Sequence, residues 1–141
     1  MTRYISHNET ETENFGSRLA KNLHGSETIA LFGGLGAGKT ALTRGIAHAL
    51  GCGDCVSSPT FAIVHEYSGR CKLFHFDMYR IETIDDLYST GFFEYLGTGV
   101  TVIEWSENIE NVLPDNCLRI EIKHSSTPDE RIFELSEDIE L

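Results

Sequence analysis

The chain has 141 residues, of which 40% are hydrophobic and 23% charged, and 11 Lys and Arg stand against 22 Asp and Glu, a formal net charge of −11. This composition is that of a folded globular protein and excludes the collagen-like and largely disordered classes. The acidic balance disfavours direct, independent binding of nucleic acid, because the phosphate backbone is itself negative. We expect a single domain over residues 1–141.

The chain shows no pattern typical of export or membrane insertion. Residues 1–7 lack the apolar core of a signal peptide, and no run approaches the roughly 20 apolar residues of a membrane span. We therefore expect a cytoplasmic protein without membrane contact. Four cysteines include one close pair, Cys52 and Cys55, without the second pair that a structural zinc site needs. We interpret the cysteines as reduced, with a redox role or adventitious metal binding as the alternative.

The first third of the chain alternates strand and helix patterns. In order, a strand, a helix, a strand and a helix are predicted over residues 3–6, 10–23, 27–32 and 39–50. In the first helix Phe15, Leu19 and Leu23 recur at intervals of four and so share one face. The second strand runs directly into glycines, and Gly51 closes the second helix.

The remainder of the chain is richer in strands. Strands are predicted over residues 61–67, 72–76, 100–103, 118–123 and 131–135, with short helices after Thr83 and before Pro114 and a helical turn at 92–96. The first two of these strands are joined by a short connection that includes residues 68–70, which indicates a hairpin. The order predicts an α/β fold with a mostly parallel central sheet, antiparallel additions and helices on both faces. The acidic residues 136–140 are interpreted as a solvated end.

The strongest motif is Gly33-x4-Gly38-Lys39-Thr40, placed between an apolar strand and an amphipathic helix. Glycines let successive backbone N–H groups face one concavity, where phosphate oxygens also meet the positive end of the helix dipole. Lys39 would reach the β- and γ-phosphates of ATP, and the Thr40 hydroxyl would ligate Mg²⁺. The pattern indicates a P-loop NTPase fold, the alternative being a simple glycine-rich turn. The predicted nucleotide contacts of this segment are Gly33, Gly34, Leu35, Gly36, Ala37, Gly38, Lys39, Thr40 and Ala41.

Two acidic residues end predicted strands and are candidate Mg²⁺ ligands. Asp77 follows the strand at 72–76 and Glu104 follows the strand at 100–103, so both would lie at the carboxyl edge of the sheet, where nucleotides bind. Physical reasoning does not rank them, and either could instead cap the next helix. His75 lies within an apolar strand and is interpreted as a core histidine rather than a catalytic base.

Two further residues are candidates for the nucleotide site. Thr60 lies in Ser-Pro-Thr-Phe at 58–61, where nucleotide switches often place a hydroxyl that senses Mg²⁺ or the γ-phosphate, although Pro59 would also suit an ordinary turn. Trp105 directly follows Glu104 and would either stand near the nucleotide or pack elsewhere.

Together these segments resemble the family of the tRNA threonylcarbamoyladenosine biosynthesis protein TsaE. The resemblance covers most of the chain and is carried by residues 35–40, 44–45, 50–51, 58–61, 75–80 and 103–107. It implies an ATP and Mg²⁺ site built from Lys39, Thr40, Thr60, Asp77 and Glu104, with Lys39 and Glu104 as the catalytic residues.

The resemblance also implies partners. The family acts with a TsaD-like threonylcarbamoyl-transferase subunit and its inactive TsaB-like paralogue in modifying adenosine 37 of ANN-decoding tRNAs, so tRNA would be reached through them. One departure stands at Gly34, where the family commonly carries Asp or Glu. The extra glycine removes a negative charge near the phosphates, and we expect it to change nucleotide affinity or hydrolysis rather than folding.

Three functions compete at this point. The first is an accessory ATPase whose weak hydrolysis resets a tRNA-modifying complex. The second is a small kinase, for which the chain lacks an arginine-rich closing segment, since its arginines are scattered. The third is a GTP-dependent switch, for which it lacks an Asn-Lys-x-Asp guanine-reading segment. The accessory ATPase is the favoured interpretation. No motif places an arginine of this chain where it would complete the catalytic site.

Overall fold

The fold is a seven-stranded sheet covered by helices, seen in a computed structural model that describes residues 2–33, 38–52 and 64–137. The strands are β1 (Thr2–Ser6), β2 (Thr28–Phe32), β3 (Val64–Ser68), β4 (Lys72–Asp77), β5 (Val100–Glu104), β6 (Leu118–His124) and β7 (Arg131–Leu135). The helices are α1 (Glu9–Ala20), α2 (Lys39–Ala49), α3 (Ile84–Ser89) and α4 (Phe92–Tyr95), followed by a 3-10 helix (Ser106–Val112).

The strand order is β1-β7-β6-β2-β5-β4-β3. The four central strands β6, β2, β5 and β4 run parallel to one another, whereas β3, β7 and β1 add antiparallel pairs at the two sides. This arrangement confirms the predicted mostly parallel centre with antiparallel additions. The predicted hairpin is β3 with β4; its first predicted residues, 61–63, lie outside the described ranges.

Helices cover both faces of the sheet, as the sequence predicts. Alternate residues of a strand face opposite sides, so Ile29 and Leu31 of β2 pack with α1 and α2, while Ala30 between them packs with the other helices. The first core joins Phe15 of α1 to Leu42 of α2, and both side chains are fully buried. The second core contains buried side chains of α3, α4 and the 3-10 helix.

Local signals explain where the helices start. Asn8 caps α1 by accepting the Glu11 N–H at 2.8 Å. Thr83 begins α3 with a complete capping box, in which its side chain accepts the Asp86 N–H and the Asp86 carboxylate accepts the Thr83 N–H. The predicted stop after α2 is also present, since Gly51 adopts the left-handed conformation with φ of 76°.

Helices α1 and α2 approach each other closely because of two glycines. A Cβ added to Gly45 would overlap the Glu13 carbonyl, and one added to Gly16 would overlap the Leu42 carbonyl. Arg44 bridges the same helices by donating to Glu9 at 2.8 Å and Glu13 at 2.6 Å. This pairing holds α2 in a fixed position beside the sheet.

The structure bears in part on the predictions for the cysteines, the acidic C-terminal residues and membrane contact. Cys52, Cys71 and Cys117 are free thiols, and Cys55 lies outside the described residues. Ser136 and Glu137 are exposed, as expected of a solvated end, with residues 138–141 again outside. Within the ranges the structure describes, no helix has the length and apolar character to cross a bilayer. The single-domain assignment stays a prediction.

Candidate functional site

Three strand ends and one helix start meet at a single edge of the sheet. Because β2, β5 and β4 are neighbouring parallel strands, Gly33, Glu104 and Asp77 lie at the same end, and Glu104 and Asp77 are directly paired in register. They adjoin an open cleft of about 860 Å³. The cleft is lined by Asn8, Glu9, Thr12, Gly38, Lys39, Thr40, Ala41, Asp77, Tyr79, Glu104, Trp105, Asp129 and Arg131.

The N-terminus of α2 opens into this cleft. Its N-cap residue, Gly38, has φ of 94° and makes no side-chain capping bond, so no cap side chain occupies the first helical N–H groups. A Cβ on Gly38 would stand 3.9 Å from both Arg131 and Thr12, which brings the loop between β6 and β7 and the start of α1 to the same point. An uncapped N-terminus of an 11-residue helix suits an anion.

Lys39 lies at the floor of the cleft and is almost completely buried, with 6% of its surface exposed. Its ammonium group donates to the Gly33 carbonyl at 2.8 Å and lies 4.1 Å from the centre of the Trp105 ring. Burial lowers the pKa of Lys39 below its usual value, while the carboxylates of Glu104, Glu107 and Asp77 act in the opposite direction. The lysine is thus held by one carbonyl and one aromatic face until an anion competes for it.

Asp77 is half-buried at the end of β4. Burial raises the pKa of its carboxyl above the usual value and nearby Glu104 adds to this effect, while the Tyr79 N–H, which donates to Asp77 at 2.9 Å, opposes it. The Asp77 side chain also lines the cleft.

Glu104 is more deeply placed, with only 3% of its surface exposed. Its Oε2 is hydrogen-bonded to Nε2 of His75, which is completely buried. By the alternation of strand residues, His75 and Asp77 of β4 and Glu104 of β5 all face the side of the sheet that carries α2. The expectation that His75 belongs to the core is confirmed by its burial, yet its ring contacts a candidate site residue.

The chain turns sharply after Glu104. Trp105 is the one non-glycine residue with positive φ, at 59°, among those described, a conformation that costs about 1 to 2 kcal/mol. The turn is held by Asn108, which donates to the carbonyls of Met78 at 2.8 Å and Tyr79 at 3.2 Å. The strained turn places the Trp105 ring beside Lys39, and such strain is typical of functional sites.

Glu107 connects the same turn to the start of the P-loop, the segment of residues 33–40. Its Oε2 accepts the Gly33 N–H at 3.0 Å. The Glu107 carboxylate therefore acts electrostatically on the ammonium group of Lys39, where it works against the lowering of the pKa by burial. This contact joins residues 74 positions apart in the chain.

The donor set fits a magnesium nucleotide. Thr40, Asp77 and Glu104 supply hard oxygen atoms at one cleft. Mg²⁺ usually takes one or two carboxylates together with substrate phosphates and waters rather than a complete protein cage. Accordingly, no group of three or more His, Cys, Asp or Glu within the described residues forms a metal cluster.

Comparison with protein-family models identifies the family to which this chain belongs. The family model described as threonylcarbamoyl adenosine biosynthesis protein TsaE matches residues 6–133. The chain belongs to the TsaE family. This confirms the resemblance seen in the motifs.

Relatives named tRNA threonylcarbamoyladenosine biosynthesis protein TsaE align over most of their length. The protein of Aquifex aeolicus is 38% identical, covering 92% of this chain and 93% of its own. That of Treponema pallidum is 35% identical, covering 86% and 90%, and that of Bacillus subtilis is 39% identical, covering 89% and 79%.

A solved structure confirms the α/β fold. The crystal structure of YdiB from Bacillus subtilis matches with a TM-score of 0.72 and 33% identity, covering 94% of this chain and 82% of that chain.

The structure brings most of the described TsaE-type site residues together. Gly38, Lys39, Thr40, Ala41, Asp77 and Glu104 line one cleft, and Gly33 adjoins it through Lys39. Trp105 also lines the cleft. The remaining predicted contacts, Gly34, Leu35, Gly36, Ala37 and Thr60, lie outside the described residues. The chemical roles of all these residues stay predictions.

The structure adds residues that sequence reasoning missed. Asn8, Glu9, Thr12, Asp129 and Arg131 line the cleft from α1 and from the β6–β7 side. No motif marks them, because they reach the cleft only through the packing of α1 on α2 and the antiparallel pairing of β7. One nitrogen of Arg131 donates to the carbonyls of Pro128 and Glu130 in its own loop.

Proposed function

We propose that this chain is an ATP-binding, weakly hydrolysing accessory ATPase of threonylcarbamoyladenosine formation at position 37 of ANN-decoding tRNAs. The observation that carries the proposal is the meeting of an uncapped helix N-terminus, Lys39 and Thr40 with the strand-end acids Asp77 and Glu104 in one cleft. Membership of the TsaE family supplies the biological context.

In this proposal Lys39 exchanges its partner when nucleotide binds. Its ammonium group leaves the Gly33 carbonyl, now 2.8 Å away, and donates to the β- and γ-phosphate oxygens. Because burial has already removed much of its hydration, the lysine loses little solvation on meeting the phosphates. The N–H groups at the start of α2, which no N-cap side chain occupies, bind the same anion.

Thr40, Asp77 and Glu104 hold the metal side of the site. Mg²⁺ would neutralise charge that develops on the phosphates and orient them for attack by water. Thr40 offers its hydroxyl, while the two carboxylates accept from metal-bound waters or ligate directly. Glu104, fixed by His75, is also the group we assign to orienting the attacking water.

We attribute weak turnover by the isolated chain to the lack of an arginine aimed at the phosphates among the described residues. Phosphoryl transfer gains from a cation that meets the developing charge. Arg131 lines the cleft, but its Nη1 is engaged by carbonyls of its own loop at 2.6 and 3.0 Å. We expect the partner complex to supply or release the missing positive charge, so that hydrolysis resets that complex.

The partners we propose are a TsaD-like transferase subunit and a TsaB-like paralogue, in the cytoplasm. With a formal net charge of −11, the chain repels tRNA at long range, so tRNA would be held by these partners.

The test is ATPase turnover and pull-down with the two partner subunits, comparing the wild type with Lys39→Ala and Glu104→Ala. Glu110→Ala, which removes the same charge from the 3-10 helix outside the cleft, is the control. The proposal requires partner-stimulated turnover that both site variants lose and the control keeps. Turnover indifferent to the partners, or phosphate passed to an acceptor other than water, would contradict it.

A further inference from the structure

A buried histidine stands behind the cleft and touches it through one carboxylate. His75 has no exposed surface and does not line the cleft, whereas Glu104 does. Nε2 of His75 is hydrogen-bonded to Oε2 of Glu104. In the tautomer that carries its hydrogen on Nε2, His75 donates this hydrogen bond to the carboxylate.

The other ring nitrogen makes this arrangement costly. Nδ1 of His75 has no hydrogen-bond partner among the described residues, although it is fully buried. Leaving a polar atom unpaired in the core costs about 1 to 3 kcal/mol. Phe74 and Phe76 flank His75 on β4, so an apolar residue would extend a buried strand without that cost. Packing alone therefore gives no reason for a histidine here.

The sheet register explains what the imidazole can do. His75 is paired with Val102 of β5, and Glu104 is the next β5 residue on the same face, one step closer to the cleft. The ring thus reaches Glu104 from the protein side and occupies Oε2. Glu104 also lines the cleft, so its carboxyl group reaches both His75 and the cleft.

We propose that His75 is a positioning residue that fixes the Glu104 carboxylate in the orientation needed for the Mg²⁺–nucleotide complex. This inference rests on the proposed function of the cleft. Groups that hydrogen-bond to metal-ligating carboxylates orient them, and their loss typically costs about 10- to 100-fold in metal affinity or activity.

Two substitutions of similar polarity separate positioning from packing. The amide nitrogen of His75→Gln reaches about as far as Nε2 and can donate to Glu104, whereas the shorter His75→Asn ends near the position of Nδ1 and cannot. The control is His65→Asn on β3, which changes the residue paired with His75; within the described ranges the hydrogen bond of His65 is to Tyr67 rather than to Glu104. Thermal unfolding of each variant checks that it folds.

The measurement is the affinity for AMP-PNP by titration calorimetry, with Mg²⁺ and with EDTA, and the ratio of the two dissociation constants is the readout. We expect His75→Asn to lower this Mg²⁺ enhancement about 10-fold, with little change of the affinity in EDTA, and His75→Gln to restore most of it. Glu104→Gln should lower the enhancement, and adding His75→Asn to it should cause no further loss, because one residue acts through the other.

Each outcome decides the matter. Equal effects of Gln and Asn, equal losses with and without Mg²⁺, or additive effects with Glu104→Gln would overturn the positioning role while the proposed function stands. A wild-type affinity that does not respond to Mg²⁺ would overturn the proposed function, and the inference with it.

Discussion

At the scale of single residues, the contact between Glu107 and Gly33 places a negative charge beside the segment proposed to bind phosphate. Glu107 accepts the Gly33 N–H at 3.0 Å and acts electrostatically on Lys39. The contact orders the start of the P-loop, but its charge opposes a bound polyphosphate.

Glu107→Gln keeps an oxygen that can accept from Gly33 and removes the charge. We expect Glu107→Gln to increase nucleotide affinity about threefold, because removing one repulsive charge near the phosphates changes the binding free energy by a fraction of a kcal/mol. Calorimetric titration with ADP measures the change. Glu110→Gln, an equal charge change on the same 3-10 helix, is the control, and equal effects of the two would show that only net charge matters.

The same scale shows where sequence reasoning stops. Lys39, Thr40, Asp77 and Glu104 could be predicted, because each belongs to a motif or ends an apolar strand. The contact of Glu107 with Gly33 spans 74 positions and follows from the turn at Trp105, which no local pattern indicates. The partner of His75 depended likewise on the register of β4 with β5.

At the scale of elements, the position of α2 relative to the sheet depends on its contact with α1. Gly45 faces the Glu13 carbonyl so closely that a methyl group cannot be accommodated without moving one helix. In a free helix, Gly→Ala would stabilise by about 1 kcal/mol. The contact with the Glu13 carbonyl therefore makes Gly45→Ala destabilising, whereas in a free helix it would be stabilising.

We expect Gly45→Ala to lower the free energy of unfolding by about 2 kcal/mol, in the range of overpacked cores, and to weaken nucleotide binding because α2 moves. Urea unfolding measures the first effect. The reverse exchange Ala49→Gly, on the exposed side of α2, should cost only about 1 kcal/mol through helix propensity. A neutral or stabilising Gly45→Ala would show that the helices separate at no cost.

A second element depends on a carboxylate in the turn before β2. Glu27 accepts the N–H groups of His24, Gly25 and Ser26 at 2.6, 2.9 and 3.0 Å. Partial burial would raise the pKa of this carboxyl, but the backbone donors outweigh it and hold the pKa below its usual value. A depressed pKa in the folded state contributes stability above the usual Glu pKa of about 4.3 and loses it as the pH falls through the folded value.

We therefore expect Glu27→Gln to destabilise by about 1 kcal/mol at pH 7, below the usual range for hydrogen bonds to a charged group, because Glu27 is partly exposed. The difference from the wild type should shrink as the pH falls below about 4. Denaturant unfolding at a series of pH values measures it, with Glu121→Gln, at an exposed position of β6, as the control. A difference that does not depend on pH would show that the charge is not involved.

The elements themselves were largely predictable, and their limits have local causes. The capping box at Thr83 and the alternation of β2 are sequence patterns with direct structural meaning. Helix α1 ends at Ala20 rather than Leu23, because the N–H groups of Asn22 and Leu23 turn to carbonyls three residues back. Leu23 is nevertheless buried, so the periodicity identified the core face correctly.

At the scale of the whole molecule, the sheet order gathers the site. Strands β2, β5 and β4 are adjacent although they are distant in sequence, and their parallel direction brings Gly33, Glu104 and Asp77 to one edge. The sequence predicted a parallel sheet but not the strand order, and the order determines that α1 and the β6–β7 loop complete the cleft. At this scale the formal net charge of −11 disfavours direct tRNA binding by the chain, in line with the proposed role of partner subunits.

The measurement that tests the central claim most directly is calorimetric titration of the isolated chain with AMP-PNP and Mg²⁺, comparing wild type, Lys39→Ala and the exposed control Lys21→Ala. The account predicts one site per chain, unchanged in Lys21→Ala and about 10- to 100-fold weaker in Lys39→Ala, the loss expected for charge-assisted hydrogen bonds to phosphate. Equal affinity in wild type and Lys39→Ala, or no binding by the wild type, would contradict it.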